Sequence, residues 1–550
     1  MGRIYGTLIA FLFAWCGNAI AQEKKPKLVV GIVIDQMRQE YLYRFAPNFG
    51  EDGFKRLMGE GYMFSNTHIN YVPTATGPGH ASIYTGTTPA YHGIVSNNWY
   101  DRTLKEKVYC VEDKRFHTVG SKTDAGKASP NRLLTTTITD ELKLASNFKS
   151  KVIALSIKDR ASVLPGGHNP NGAFWYDFNT GDFVTSTYYM EALPGWVEKF
   201  NKKDLPDKFL KKTWNRLLPK EAYTVSDTHH SKYENGLNAN DKFPYDLQKL
   251  SEGKRGKDRY GIIPSTPFGN TILTELVFSA VKSEKLGQGK ETDFLAVSYS
   301  SPDIIGHRYG PRSEEIEDTY VRLDGLISDL LAFLDEHIGK SEYTVFLTAD
   351  HAATANPEFL KDNKFPGGYF NGKEAKEQIN DALSEKFGMG LWVESMDFMQ
   401  VYLDRALLKR EKVNIEEASE AVKEALMANE MVSRAYTGNT VYKADYNEGG
   451  IKGFMVRGYM PQRCGDVIFA QKPGYIQWFN KKGTTHGSPY TYDTNIPMLW
   501  FGANVPHGSS SKYHPVTDIA ATLSIMLQTK FPSGCTGQPI QEILGDDDKD

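Results

Sequence analysis

"KLVVGIVID", Lys27 to Asp35, is an unbroken apolar run closed by a carboxylate. It shows no alternation of polar and apolar positions, so a strand formed here is buried on both faces, as in the parallel sheet of an α/β protein. Four further stretches read the same way: "KVIALSI" (151–157), "DFLAVSY" (293–299), "YTVFLTA" (343–349) and "IPMLWFG" (496–502). Helical patterns lie between them. "DGFKRLMGEG" (52–61), "EEIEDTYVRLDGLISDLLAFLDEHIG" (314–339) and "TDIAATLSIMLQ" (517–528) each carry apolar residues at helical spacing. Strands alternating with helices predict a doubly wound, mostly parallel α/β sheet. Residues 160–270 and 365–480 break the rhythm. They are expected to be insertions covering one end of the sheet within a single domain over 22–550, since no Gly/Ser-rich or Pro-rich linker sets them apart.

The chain opens with "MGRIYGTLIAFLFAWCGNAIAQ": one cation at Arg3, an apolar run, then Ala19-Ile20-Ala21. This predicts a secretory signal peptide over 1–21, too short to anchor in a bilayer, and a periplasmic or secreted protein without a membrane span. Of the four cysteines, Cys16 falls in the leader and Cys110, Cys464 and Cys535 remain. Three scattered cysteines form no zinc framework. A Cys464–Cys535 bridge and buried free thiols are both open readings. A net charge of −3, with no basic run, argues against nucleic-acid binding driven by phosphate attraction.

Chemistry in an open α/β sheet gathers where the strands end. Asp35 closes the first strand, Lys158 and Arg160 follow the second, and Asp303 with His307 follows the third. Asp350 and His351 close the fourth, and His486 precedes the last. Taken singly, each has a plain explanation as a turn residue, a cap or a surface charge. Three carboxylates at one sheet end repel each other and raise each other's pKa unless cations relieve them. Three His and three Asp are mixed N/O ligands of the kind zinc accepts, and six are too many for one catalytic ion with an open position. They suit a two-metal site. "YVPTATGPGHASIYTG" (71–86) then places Thr76 at an expected helix start, where free N–H groups welcome an anion. The plain alternative is an N-cap threonine with Pro78 in the first turn.

With "PTATGPGH", "SNNWYD" (96–101), "IKDRAS", "GHNPNGAFWYD" and "KKGTTHG", this set resembles the alkaline phosphatase superfamily, and within it the PafA-type, phosphate-irrepressible alkaline phosphatases of Bacteroidetes. The resemblance runs from about Lys27 to Leu544. It implies one Zn2+ held by Asp303, His307 and His486 and a second held by Asp35, Asp350, His351 and the Thr76 oxygen. It implies that Asn97, Lys158 and Arg160 hold phosphoryl oxygens, and that Thr76 is the nucleophile of a phosphothreonine intermediate in hydrolysis of small-molecule phosphate monoesters. Relatives of this type suggest a monomer. Ala352 departs from the pattern, since many relatives have Gly after the Asp-His pair.

A phosphodiesterase or nucleotide pyrophosphatase of the same superfamily is the nearest alternative. Lys158 and Arg160, two residues apart and expected to face one way from an extended segment, favour the monoester. A sulfatase needs C/S-x-P-x-R, which "TATGPGH" lacks. A cofactor-independent phosphoglycerate mutase would use serine and manganese. A binding protein without catalysis is disfavoured by the complete ligand sets.

Overall fold

The structure, a computed structural model, describes residues 24–227, 232–237, 242–478 and 480–545. The leader read over 1–21 lies outside the described residues. Eight strands set the frame: β1 (Leu28–Ile34), β2 (Tyr62–His68), β3 (Val152–Ser156), β4 (Gly172–Tyr176), β5 (Phe183–Ser186), β6 (Asp293–Tyr299), β7 (Tyr343–Thr348) and β8 (Asn495–Gly502). They lie in the order β2-β8-β7-β1-β6-β3-β4-β5, and short edge strands bring the sheet to eleven among the described residues. β1 is wholly buried, as its unbroken apolar run demands. It pairs in parallel with β6 and β7, and the parallel run continues through β3 to β4. Gly31 is required at its centre, because a Cβ there would meet the Phe346 ring at 2.5 Å and the Tyr84 hydroxyl at 2.6 Å.

The strand expected at 496–502 forms, but it runs antiparallel to β7. β2 in turn runs antiparallel to β8, with Asn495 opposite His68. The start of β8 and the end of β2 therefore lie at the same end of the sheet as the end of β7. A residue that precedes β8, such as His486, thus reaches the same end as residues that follow β1, β3, β6 and β7. The Thr76 segment, which follows β2, arrives there too.

The helix Glu314–His337 lays Ile316, Tyr320, Leu323, Ile327, Leu330 and Leu334 into the core, spaced three and four residues apart. The helices expected at 52–61 and 517–528 form as Phe54–Glu60 and Asp518–Met526. Residues 365–480 contain a separate four-stranded antiparallel sheet, Val393–Asp397, Gln400–Leu403, Val432–Thr437 and Val467–Gln471. With the helices Gly372–Phe387 and Ile415–Ala428 it encloses its own apolar core around Leu383, Val401, Val422 and Phe469. The break expected at 160 comes later. Arg160–Gly166 packs on the main sheet, and β4 and β5 extend that sheet. The Gly and Asn residues around "GAFWY" disguise β4 as loop.

A Cys464–Cys535 bridge is absent. Cys110 and Cys464 are buried free thiols and Cys535 is a partly buried one. Burial raises the pKa of each, to about 12 for Cys110 and Cys464 and about 11 for Cys535, which favours the protonated thiol. No helix among the described residues is long and apolar enough to cross a membrane.

Candidate active site

Thr76 is the first residue of the helix Thr76–Thr85, whose N-cap is Ala75. The cap position is thus held by Ala75, and the hydrogen bonds of Thr76 Oγ1 run to Lys158 and Arg160, so the N-cap reading fails. The backbone is extended at Ala75 and turns helical at Thr76, so the hydroxyl stands at the start of the first turn. There Oγ1 lies 3.4 Å from Lys158 Nζ and 3.3 Å from Arg160 Nη2. Pro78 sits in the first turn, where its missing N–H has no intrahelical partner to lose. Asn97 is fixed by its carbonyl, Oδ1 accepting from Gly77 N–H at 2.6 Å. That leaves its amide NH2 as the end able to donate.

Lys158 and Arg160 do not stand on an extended segment. They occupy the bend between β3 and the helix that starts at Arg160, with Asp159 accepting from the Arg160 N–H at 2.7 Å. They converge because that bend meets the Thr76 helix. Lys158 Nζ pairs with Asp35 Oδ2 at 2.7 Å and Asp303 Oδ2 at 2.5 Å. Arg160 is braced from behind, its Nη1 donating to Tyr109 Oη at 3.0 Å, and Tyr109 donating to Asp159 at 2.5 Å.

The six Asp and His side chains of the expected ligand sets gather at this end of the sheet. Ligand atoms of Asp35, Asp350 and His351 all lie within 4.8 Å of one another, and so do those of Asp303, His351 and His486. His351 thus borders both groups, although the resemblance assigns it to one. His307 joins through Nε2, 3.2 Å from Asp303 Oδ1. Each imidazole is oriented by a backbone carbonyl at Nδ1: His307 by Thr484 at 2.8 Å, His351 by Ala352 at 3.0 Å and His486 by Thr74 at 2.6 Å. That leaves every Nε2 facing the carboxylates, the arrangement of metal-ligating histidines. Asp35 Oδ1, Asp350 Oδ2 and His351 Nε2 are buried with no hydrogen-bond partner. Orphaned acceptors of this kind fit a cation, and the N/O donor set fits zinc.

The expected mutual repulsion appears at one carboxylate only. Burial, then Asp303 and Asp350, push Asp35 well above the usual range. Burial acts upward on the other two as well but is outweighed. His307 and Lys158 hold Asp303 well below the usual range, and His351 and His80 lower Asp350. Burial disfavours the charged form of Lys158, yet Asp303 and Asp35 raise it, so it remains an ammonium. Burial lowers His351 and His486, with the neighbouring rings adding to the effect at His486, and keeps both neutral as ligands must be.

Several site residues escaped the reading of the sequence. Gln36 donates through Nε2 to Asp303 at 2.6 Å and through its backbone to Asp350 at 3.2 Å. His80, one turn beyond Thr76, touches the Thr76 carbonyl at 2.9 Å and lies 3.3 Å from Asp350. Its i, i+4 spacing from Thr76 was the available signal. Trp478 stacks on His307 at 5.4 Å. Beside Lys158 and Arg160 opens a cleft of about 680 Å3, walled by Ile157, Phe178, Ile262 and Ile304 and edged by Lys254 and Arg308.

The family model described as type I phosphodiesterase / nucleotide pyrophosphatase matches residues 29–492. Alkaline phosphatase PafA of Elizabethkingia meningoseptica is 43% identical over 95% of both chains. A protein of Myroides odoratus named calcium-transporting ATPase is 41% identical over 98% of both. A crystal structure of wild-type alkaline phosphatase PafA superposes with a TM-score of 0.91 at 42% identity, over 95% of this chain and 100% of that one. A variant of that enzyme, solved with a threonine, an asparagine, a lysine and an arginine substituted, superposes at 0.90, also at 42% identity, over 95% of this chain and 99% of that one.

Proposed function

The chain belongs to the type I phosphodiesterase / nucleotide pyrophosphatase family of the alkaline phosphatase superfamily, and on that premise we propose that it is an exported, monomeric, two-zinc alkaline phosphatase. It converts phosphate monoesters to alcohol and inorganic phosphate through a phosphothreonine at Thr76. One observation carries this reading. The Thr76 hydroxyl, at a helix start it does not cap, is held against Lys158 and Arg160 beside two groups of ligand side chains. The PafA variant altered at a threonine, an asparagine, a lysine and an arginine adds support, because the same four residue types occur here in the same order.

Asp303, His307 and His486 would hold one ion, and Asp35, Asp350, His351 and the Thr76 oxygen the other. Two zinc ions, when bound, acidify a hydroxyl and a water and stabilise charge on a leaving oxygen. The protein supplies the rest. A monoester phosphoryl group carries nearly two negative charges at neutral pH. Arg160 can fork onto two of its oxygens, Lys158 adds a compact charge, and Asn97 donates from its free amide end. Thr76 Oγ1 gives up its proton and forms a bond to phosphorus as the ester P–O bond on the opposite side breaks, and the departing oxygen takes up a proton to leave as the alcohol. Water then attacks the phosphothreonine, freeing inorganic phosphate and restoring the hydroxyl. Most of the rate enhancement in such a site is positioning and electrostatics. The cleft beside Lys158 and Arg160 gives the alcohol portion room.

The family description keeps a phosphodiesterase as the second reading. Two cations on Thr76 match a monoester, whose free oxygens carry the extra charge. The name of the Myroides relative implies ATP hydrolysis, which is transfer of a terminal phosphoryl group to water and falls within the same chemistry. Turnover of an aryl phosphate and of its methyl diester, with metal analysis of the purified protein, tests the assignment. A zinc protein that prefers the diester, or a protein that takes up no metal, overturns it.

A further inference from the structure

Two imidazoles at the centre of the site, His351 and His486, stack with ring centroids 3.5 Å apart and planes 18° from parallel. They stand on loops distant in sequence, and neither ring bonds the other. Something else must fix their spacing. Asp493 touches both loops. Its Oδ2 accepts from the Gly487 N–H at 3.0 Å, the Ser488 N–H at 2.8 Å and the Ser488 hydroxyl at 2.7 Å. Its backbone carbonyl accepts from the Ala352 N–H at 2.8 Å. Gly487 N is the first backbone atom after His486, and Ala352 is the residue whose carbonyl orients His351 Nδ1.

The clamp extends to the nucleophile's segment. His486 Nδ1 bonds the Thr74 carbonyl, two residues before Thr76, and the Thr74 hydroxyl donates to the Ser488 carbonyl at 3.3 Å. Asp493 is 1% exposed, and its Oδ1 is buried without a partner. We propose that Asp493 is a positioning residue that holds the loops of His351 and His486, and through them the two ligand groups, at one fixed separation. This rests on the two-metal reading. Asp493 touches no substrate and is not itself a ligand. Burial pushes its carboxyl up to about 7.

Asparagine keeps an acceptor for all three donors, whereas alanine leaves the Gly487 and Ser488 N–H groups buried and unpaired. The test compares the full mature chain with Asp493→Ala, Asp493→Asn and Ser488→Ala. Zinc Kd is read by competition with a chromophoric chelator, and melting of the metal-free protein is recorded separately. We expect Asp493→Ala to weaken zinc binding by about tenfold or more, the range seen when partners of metal ligands are removed. Asp493→Asn restores it to within about threefold, and Ser488→Ala, missing one bond of three, falls between. Wild-type zinc affinity in Asp493→Ala, with only the metal-free melting point lowered, overturns the proposal. If Asp493→Ala does not fold, unchanged zinc affinity in Ser488→Ala overturns it instead. A wild-type chain that takes up no zinc refutes the two-metal reading together with this one, whereas equal zinc affinity in wild type and Asp493→Ala refutes this one alone.

Discussion

Arg160→Ala separates the monoesterase from the diesterase reading. The guanidinium is anchored on one side, Nη1 on Tyr109 Oη at 3.0 Å, and presents Nη2 to the Thr76 oxygen at 3.3 Å. A phosphoryl group on Thr76, as proposed, would therefore form within reach of the fork. A monoester has three terminal oxygens and a diester two, so with one of them turned to the candidate metal site a monoester leaves Arg160 two and a diester one. A hydrogen bond to a charged group contributes about 1.5 kcal/mol at the lower end of its range. Losing two costs about 3 kcal/mol, or about 150-fold in kcat/KM, and losing one costs about 10-fold. The ratio of monoester to diester kcat/KM should fall about tenfold, measured with an aryl phosphate and its methyl diester. Arg160→Lys keeps the charge without the fork, so it should recover part of the monoester rate. Equal losses on the two substrates would refute the reasoning, because they would place Arg160 on a group common to both.

Thr76→Ala should abolish the covalent phosphoenzyme, read by mass spectrometry or phosphate labelling, and leave circular dichroism unchanged, since the hydroxyl caps nothing. A labelled variant would assign the nucleophile elsewhere. Removing metal by chelation should abolish turnover and lower the melting temperature, with zinc restoring both; zinc at 100 times its Kd stabilises by about 2.7 kcal/mol. Glu315, buried and accepting from Tyr245 Oη at 2.7 Å, is pushed by burial from 4.5 up to about 7. The native state then holds an extra proton between about pH 4.5 and 7, so stability falls as pH rises through that window, by on the order of 3 kcal/mol. Glu315→Gln should gain on wild type from pH 5 to pH 8 in urea unfolding, and a difference independent of pH would count against the shift.

The fold was legible where burial is two-sided. β1, β3, β6, β7 and β8 each carry an apolar run without alternation, because a strand covered on both faces gives few positions to polar residues, and those it does give, such as Ser156, Ser298 and Thr348, are hydrogen-bonded. β2, "YMFSNTH", is only partly buried and mixes in Ser, Asn and His, so it carries no such run. β4 is wholly buried, but its five residues are flanked by Asn and Gly that read as turn. Strand direction was not legible at all for β8. An antiparallel strand buried on both faces has the same composition as a parallel one.

The candidate site divides along a similar line. The residues found in the sequence sit at strand ends or in one glycine-rich segment, places where position along the chain already predicts a shared location. Gln36, Tyr109 and Asp493 carry no such mark. Gln36 occupies a left-handed backbone position at φ 66°, which turns its side chain back onto Asp303 immediately after β1. Tyr109 lies on a hairpin strand and reaches Arg160 only because Asn98 pairs with it, bringing the Asn97 segment and the Arg160 bend onto one support. Asp493 works through backbone groups of two loops separated by more than a hundred residues. Candidate ligands are recognisable because metal chemistry restricts which residue types can serve. The residues that aim them need only one hydrogen-bonding atom in the right place, a demand many side chains meet. For that reason the gathering of the candidate residues could be read from the text and its scaffolding could not. Substitutions at Tyr109 and Gln36 should accordingly be tolerated where the new side chain keeps that single donor or acceptor within reach, and fail where it does not.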